Sequence, residues 1–276
     1  MSPDRLIVAV LGLGEAGSEI AGDLVSAGAR VRAFDPRVAA PAGIHGAADD
    51  ADACRGAALI LSLTTAHEAQ GALTSALPGI GPAAVYADLN TGSSSLKAEL
   101  ARQAQAAGIG FVDVALMTTV PGNGLRAPML AAGPAAVTFA GLVGPLGARV
   151  EVLDGPPGEA AARKLIRSVF FKGMAAAVTE SLRAARAAGC EDWIRVNIAA
   201  ELTAASEATV DRLEYGSQRH ARRRADEMGA ATGLLRELGV PPRIAAASEQ
   251  WLRQLLAEDG APPGAAPASC SNTAGP

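Results

Sequence analysis

Leu6-Ile7-Val8-Ala9-Val10-Leu11-Gly12-Leu13-Gly14-Glu15-Ala16-Gly17 is the stretch that decides how this chain is read. An unbroken apolar run gives way at Gly12 to glycines spaced G-x-G-x-x-G. Ile20, Leu24 and Val25 follow at helical spacing, and a second apolar run, Val31-Arg32-Ala33-Phe34, ends on Asp35. The expected order is strand, glycine turn, helix, strand, acid.

Each part has a mechanical reason. Gly12 permits the tight turn off the strand, Gly14 lets backbone approach a pyrophosphate, and Gly17 lets the helix lie close to the sheet. Leu13, Glu15 and Ala16 complete the turn, where unpaired N–H groups and the positive end of the helix dipole hold an anion without a basic side chain. Asp35 lies 18 positions after Gly17, near the roughly 20 expected of a carboxylate that bonds the adenosine ribose. The stretch is therefore read as a dinucleotide site. Asp35 repels a 2′-phosphate and favours NAD, whereas Arg37, two positions on, leaves NADP possible.

Working outward, the 276 residues suffice for one large or two medium domains. Aromatics make up only 3%, so the core must be built from Ala, Val, Leu and Ile. A net charge of -4 gives no reason to expect nucleic acid or an anionic membrane as partner. Cys54, Cys190 and Cys270 are odd in number and widely spaced, the pattern of a reduced intracellular protein without structural zinc or other metal. No segment approaches the roughly 18 consecutive apolar residues of a membrane span. The first strand begins too early to leave room for a signal peptide. The expected location is cytoplasmic.

Along the chain, a loop rich in Ala, Gly and Pro runs through Gly46, and a short acidic helix covers Asp49 to Cys54. Strands are expected at 58–63, 85–89, 109–114, 129–131 and 149–152. Helices are expected at 66–77, from Ser93 to Ala107, and around 134–140. Alternation of this kind indicates parallel βαβ units with helices on both faces, a doubly wound, mostly parallel α/β sheet. Strands then stop at Gly155-Pro156-Pro157-Gly158. Helices are expected from Glu159 to Ala188, from Asp192 to about Leu213, from Ser217 to Leu238, and after Pro242. The division is thus residues 1–155 as a dinucleotide-binding domain and 156–260 as an all-α domain that pairs with its twin in a homodimer. Residues 261–276 are expected to form a disordered tail.

The glycine motif, the break near residue 156 and a lysine early in the long helix resemble the β-hydroxyacid dehydrogenase family, relatives of 6-phosphogluconate dehydrogenase. The likeness covers about residues 5 to 257. Ala87-Asp88-Leu89-Asn90-Thr91 resembles the family's strand-end Asp-x-Ser-Thr, and Lys164 takes the place of its catalytic lysine. Lys164-Leu165-Ile166-Arg167-Ser168 and Arg219-His220-Ala221-Arg222-Arg223 look closest to a subgroup whose carboxy-terminal domain is of unknown function.

Departures accompany the likeness. Where the family shows Asp-x-Pro-x-Ser-Gly-Gly, this chain has Asp113-Val114-Ala115-Leu116-Met117-Thr118-Thr119, so the usual carboxylate cradle is replaced. Two asparagines after the lysine become Arg167 and Ser168. The late Lys-Asp pair falls near Asp226-Glu227, with Arg223 or Arg224 as substitute.

The resemblance implies an NAD(P)-dependent oxidoreductase that transfers a hydride between nicotinamide and a small hydroxy acid or keto acid. Lys164 would be its general acid/base, since an amine whose pKa burial lowers can take and return a proton near neutral pH. Its plain alternative is a solvated helix lysine, and Lys172, eight positions later and partly on the same face, is the other candidate. Ser168, Met117, Thr118, Thr119 and His220 are candidates for substrate contact. Leu63, Thr64, Asn90 and Thr91 are candidates for the cofactor crevice. The run Arg219, Arg222, Arg223, Arg224 reads as a solvated or dimer-facing surface, its alternative being an anion site that, facing the cleft, would suit a substrate carboxylate or phosphate. Within the same fold the competitor is an imine reductase, which usually lacks the lysine. From another class the competitor is a catalytically silent dinucleotide-binding protein.

Overall fold

The computed structural model describes residues 6–259. The tail expected at 261–276, and Cys270 within it, lie outside the described residues. The chain divides into two compact units between Val169 and Phe170. That division falls beyond the Gly155–Gly158 turn where the composition changes.

In the first unit, β1 (Ile7–Leu11), β2 (Arg30–Phe34), β3 (His45–Gly46), β4 (Leu59–Ser62), β5 (Val85–Asp88), β6 (Gly110–Leu116), β7 (Met129–Ala132) and β8 (Val150–Val152) form one sheet. Its order is β3-β2-β1-β4-β5-β6-β7-β8. All neighbours are parallel except β6 and β7, which pair antiparallel. The helices α1 (Glu15–Ser26), α2 (Asp50–Cys54), α3 (Ala69–Ala76), α4 (Ser94–Ala106) and α5 (Ala136–Val143) connect the strands. Side-chain alternation on β1 sends Val8 and Val10 to one core with Ile20, Leu24 and Phe139. Ala9 and Leu11 point to the other, with Ile60, Tyr86 and Leu100. Both faces are covered, as apolar parallel strands require.

One expectation needs correction here, and the mostly parallel sheet departs from parallel at one place. The loop through Gly46 contains the two-residue strand β3, whose pairing Arg32↔His45 and Ala33↔Gly46 no local pattern announces. The parallel series also reverses once, because the 117–128 connection after β6 turns back without a crossover helix; it holds only a short 3-10 turn at Gly124–Arg126. Ser93 caps α4 as expected, its hydroxyl accepting the Leu96 N–H at 3.2 Å.

The long helix α6 (Glu159–Ala187) starts in the first unit. The second unit continues with α7 (Glu191–Thr203), α8 (Glu207–Arg219), α9 (Ala221–Glu237) and α10 (Arg243–Asp259). The single helix expected from Asp192 to Leu213 is two, interrupted at Ala204–Ser206. There Ser206 donates its N–H to Thr209 Oγ1 at 3.0 Å and starts α8 afresh. Ser217, expected to open a helix, lies inside α8, and its hydroxyl bonds the Leu213 carbonyl. After Pro241-Pro242, the first N–H groups of α10 are received by the Glu180 carboxylate, at 2.7 Å from Arg243 and 2.9 Å from Ala245. A negative charge at a helix start is favourably placed.

Candidate active site

The sheet order places a topological switch point between β1 and β4, where ligands of open α/β sheets bind at the carboxyl ends of strands. Gly12 takes φ +94°, and a Cβ there would stand 2.5 Å from the Leu63 carbonyl oxygen. A Cβ on Gly17 would stand 2.0 Å from the Gly12 carbonyl oxygen. Gly14 differs: it precedes α1 and nothing lies within 4 Å of where its Cβ would be. Two glycines are therefore required by close packing, and the third leaves backbone bare at a helix start, where N–H groups lack intrahelical acceptors. This arrangement fits a pyrophosphate.

A pocket of about 470 Å³ adjoins the turn, lined among others by Gly12, Gly14, Asp35, Arg37, Leu63 and Thr64. Asp35 is held by three backbone donors: Leu13 N–H at 2.8 Å on one oxygen, Arg37 N–H at 2.8 Å and Val38 N–H at 3.0 Å on the other. Partial burial pushes its carboxyl up, but those donors outweigh burial and hold it below the ordinary value. Arg37, exposed, pairs with Glu68 at 3.2 Å. Asp50, absent from the sequence reading, lines the same pocket. Burial first, then Asp49 and Asp35, push its carboxyl up to about 6.

Asn90 and Thr91 face a different, smaller cleft, lined with Lys164, Ala161, Ala115 and Leu165. Lys164 Nζ donates to Thr91 Oγ1 at 2.9 Å. Its amine is half-buried, and its pKa is lowered by desolvation and then by the Lys97 charge, against a raising effect of Asp113. Asn90 Nδ2 donates to Ser62 Oγ at 3.1 Å and to Asp88 Oδ1. The other side-chain atom of Asn90 is a buried acceptor with no partner among the described residues, suited to a hydroxyl or amide donor from a ligand.

Beneath this cleft lies a group that the sequence reading missed. Ser62, Asp88 and Asp113 occupy one register row, at the ends of β4 and β5 and in the middle of β6. Lys97 of α4, fully buried, meets Asp88 Oδ2 at 2.8 Å and Asp113 Oδ1 at 3.1 Å. The available signal was its spacing: Lys97, Leu100 and Ala104 form the buried stripe of α4.

The remaining candidates are less concentrated. Ser168 donates its hydroxyl to the Lys164 carbonyl at 2.9 Å. Met117 is partly buried beyond β6, while Thr118 and Thr119 are exposed. Their loop is tied to α1 through Glu19 on Gly122 N–H and Asp23 on Leu125 N–H. Lys172 is exposed. His220 belongs to the second unit, exposed at the joint of α8 and α9. Around it Arg219 stacks on Tyr215, Arg223 pairs with Glu227 at 2.7 Å, and Arg224 donates to Ser217 at 2.8 Å.

Residues 7–136 match the family model of the NAD binding domain of 6-phosphogluconate dehydrogenase, and residues 185–255 match a domain of unknown function, DUF1932. No curated protein matches the sequence. Among solved structures, a conserved hypothetical protein from Sinorhizobium meliloti 1021 is similar at 28% identity and a TM-score of 0.59, over 90% of this chain and 88% of the other. An imine reductase from Myxococcus stipitatus in complex with NADP+ shares the fold at 18% identity and a TM-score of 0.77, over 91% and 94%. A reductive aminase from Aspergillus terreus in complex with NADPH4, cyclohexanone and allyl amine does so at 19% and 0.75, over 92% and 94%.

Proposed function

We propose that this chain, which matches the NAD binding domain of 6-phosphogluconate dehydrogenase over residues 7–136 and a domain of unknown function over residues 185–255, is an NAD(P)-dependent dehydrogenase acting on a small hydroxy acid. The observation that supports this most is the half-buried Lys164, whose amine is bonded to Thr91 at the end of β5, two strands from the glycine turn. A bound NAD or NADP supplies the hydride acceptor or donor. Lys164, as free amine, receives the hydroxyl proton of the substrate carbinol; as ammonium it returns that proton to the carbonyl oxygen in reverse. Thr91 orients the amine, and desolvation keeps the neutral form accessible. Asn90 and Leu63 border the crevice, and Asp35 receives the ribose, favouring NAD over NADP. Ser168, Met117, Thr118 and Thr119 complete the substrate contacts in this reading, and His220 stays a separate candidate on the second unit.

Lys164→Ala tests it. Turnover of a hydroxy acid or keto acid should fall roughly 10²–10⁴-fold, while NADH binding, read by fluorescence, stays as in the parent. Unchanged turnover in this variant overturns the role.

The second reading, reduction of a C=N bond, is favoured by the likeness to the imine reductase and reductive aminase structures. A panel of hydroxy acids, keto acids and cyclic imines followed at the nicotinamide absorbance separates the two. Turnover of imines alone, indifferent to Lys164→Ala, would replace the dehydrogenase reading.

The helical unit completes the picture as a homodimer. Neither α7 nor α8 buries a residue in the chain, yet Trp193, Val196 and Leu202 on α7, and Val210, Leu213 and Tyr215 on α8, are exposed. So many bare apolar side chains mark a contact surface, and a second copy is the occupant we propose. Among the described residues no helix is long and apolar enough to cross a membrane; a cytoplasmic location belongs to this reading.

A further inference from the structure

Lys97 is one of only three lysines in the chain, with Lys164 and Lys172, and it is fully buried. Besides its two carboxylate partners, its ammonium donates to the Asp88 carbonyl at 2.8 Å. Asp113 spends its other oxygen on the start of α6, accepting the Gly158 and Ala161 N–H groups at 3.0 Å each. Ser94, the first residue of α4, donates to the Gly158 carbonyl at 3.0 Å. Lys164 stands one turn further along α6 and returns to Thr91, three positions after Asp88. The bonds close a ring through β5, α4, β6 and α6.

We propose that Asp113 and Lys97 are positioning residues for Lys164: this buried ion pair fixes the first turn of α6 to the sheet and determines which charges the Lys164 amine faces. The proposal rests on Lys164 being the group that moves the proton. Capping alone does not account for the arrangement. A neutral side chain accepting the two N–H groups would serve as a cap, whereas burying three ions carries a desolvation penalty that apolar residues of like size avoid. What the ions add is a field at Lys164. The groups around it are Thr91, uncharged, from the strand end; Lys97 from α4, itself paired with Asp88; Asp113 from β6; and on its own helix Arg163, which pairs with Glu159, and Arg167. Desolvation and Lys97 push the amine down, and Asp113 opposes them.

Asp113→Asn keeps an acceptor for the two N–H groups and removes one negative charge. In full-length protein carrying isotope-labelled lysine, the Lys164 resonance, assigned with Lys164→Arg, is titrated by NMR. The expected result is a midpoint about one pH unit lower than in the parent, with NADH affinity unchanged and the acidic limb of the pH–turnover profile for hydroxy-acid oxidation displaced in the same direction. If Asp113→Asn does not fold, Asp88→Asn/Lys97→Met/Asp113→Asn removes all three ions together, leaves none unpaired, and reverses the expected sign, because the Lys97 charge that lowers the amine outweighs the Asp113 charge that raises it. A folded variant with lowered melting temperature but an unmoved Lys164 midpoint overturns the positioning role. The two failures differ: retained turnover in Lys164→Ala sinks the catalytic reading, whereas an essential Lys164 with an unmoved titration sinks this one alone.

Discussion

In the first unit every residue of β4 and β5 is buried, and alternate side chains of β1 feed two separate cores on opposite faces of the sheet. In the second unit α7 and α8 bury nothing, and tryptophan, valine and leucine side chains stand exposed on them. The contrast is one of closure. A parallel sheet sandwiched by its own crossover helices satisfies its backbone and its apolar surface within a single chain. A set of helices with apolar residues around more than one face needs something else to cover them. The proposed chemistry sits in the closed unit, where fixed geometry holds Lys164 against Thr91.

The most damaging way to break this contrast is to open the closed unit from inside. Lys97→Met leaves Asp88 and Asp113 facing each other without a counter-ion, and should cost about 3–5 kcal/mol of stability, read as a lowered denaturant midpoint. A midpoint equal to the parent's would mean the ion group is not held as described.

A smaller effect should sharpen the other side. Trp193→Asp with Val196→Asp places charge on the bare face of α7 and should weaken self-association by about 2 kcal/mol or more. Light scattering should then report a monomer at concentrations where the parent is a dimer, with NADH binding by the first unit preserved. A parent that is already monomeric would remove the proposed pairing.

The least effect concerns Asp50. Its folded carboxyl is pushed up from 3.8 to about 6, so between those values the folded chain holds a proton that the unfolded chain has released. Stability must therefore fall as pH rises through that window. Asp50→Asn should flatten this slope in melting temperature against pH; an unaltered slope would assign it to another group.

How much of this was legible depends on range. Gly12, Gly14, Gly17 and Asp35 could be read directly, because a strand–turn–helix is a local object with a fixed period and fixed turn chemistry. The structure places them around one pocket-bearing turn. Lys164 and Thr91 are 73 positions apart, and only the resemblance set them in one site; their 2.9 Å bond is a product of the fold. The break at Ala204–Ser206 escaped because Ala and Ser carry on a helical pattern without an obvious stop, and the Ser206–Thr209 restart is signalled weakly. Lys97 was passed over because a lone lysine on a helix is ordinarily solvated.

The sequence by itself determined the alternation of short apolar runs with helices, the anion-binding turn and the acid that follows it. Those depend on neighbours within a few residues, where sterics and hydrogen-bonding capacity are already specified. Only the tertiary structure decided that Asp88 and Asp113 share a register row, that Lys97 lies between them, and that the start of α6 hangs on Asp113. Strand register and helix docking are settled by burial summed over the whole sheet, and no local window of residues contains that sum.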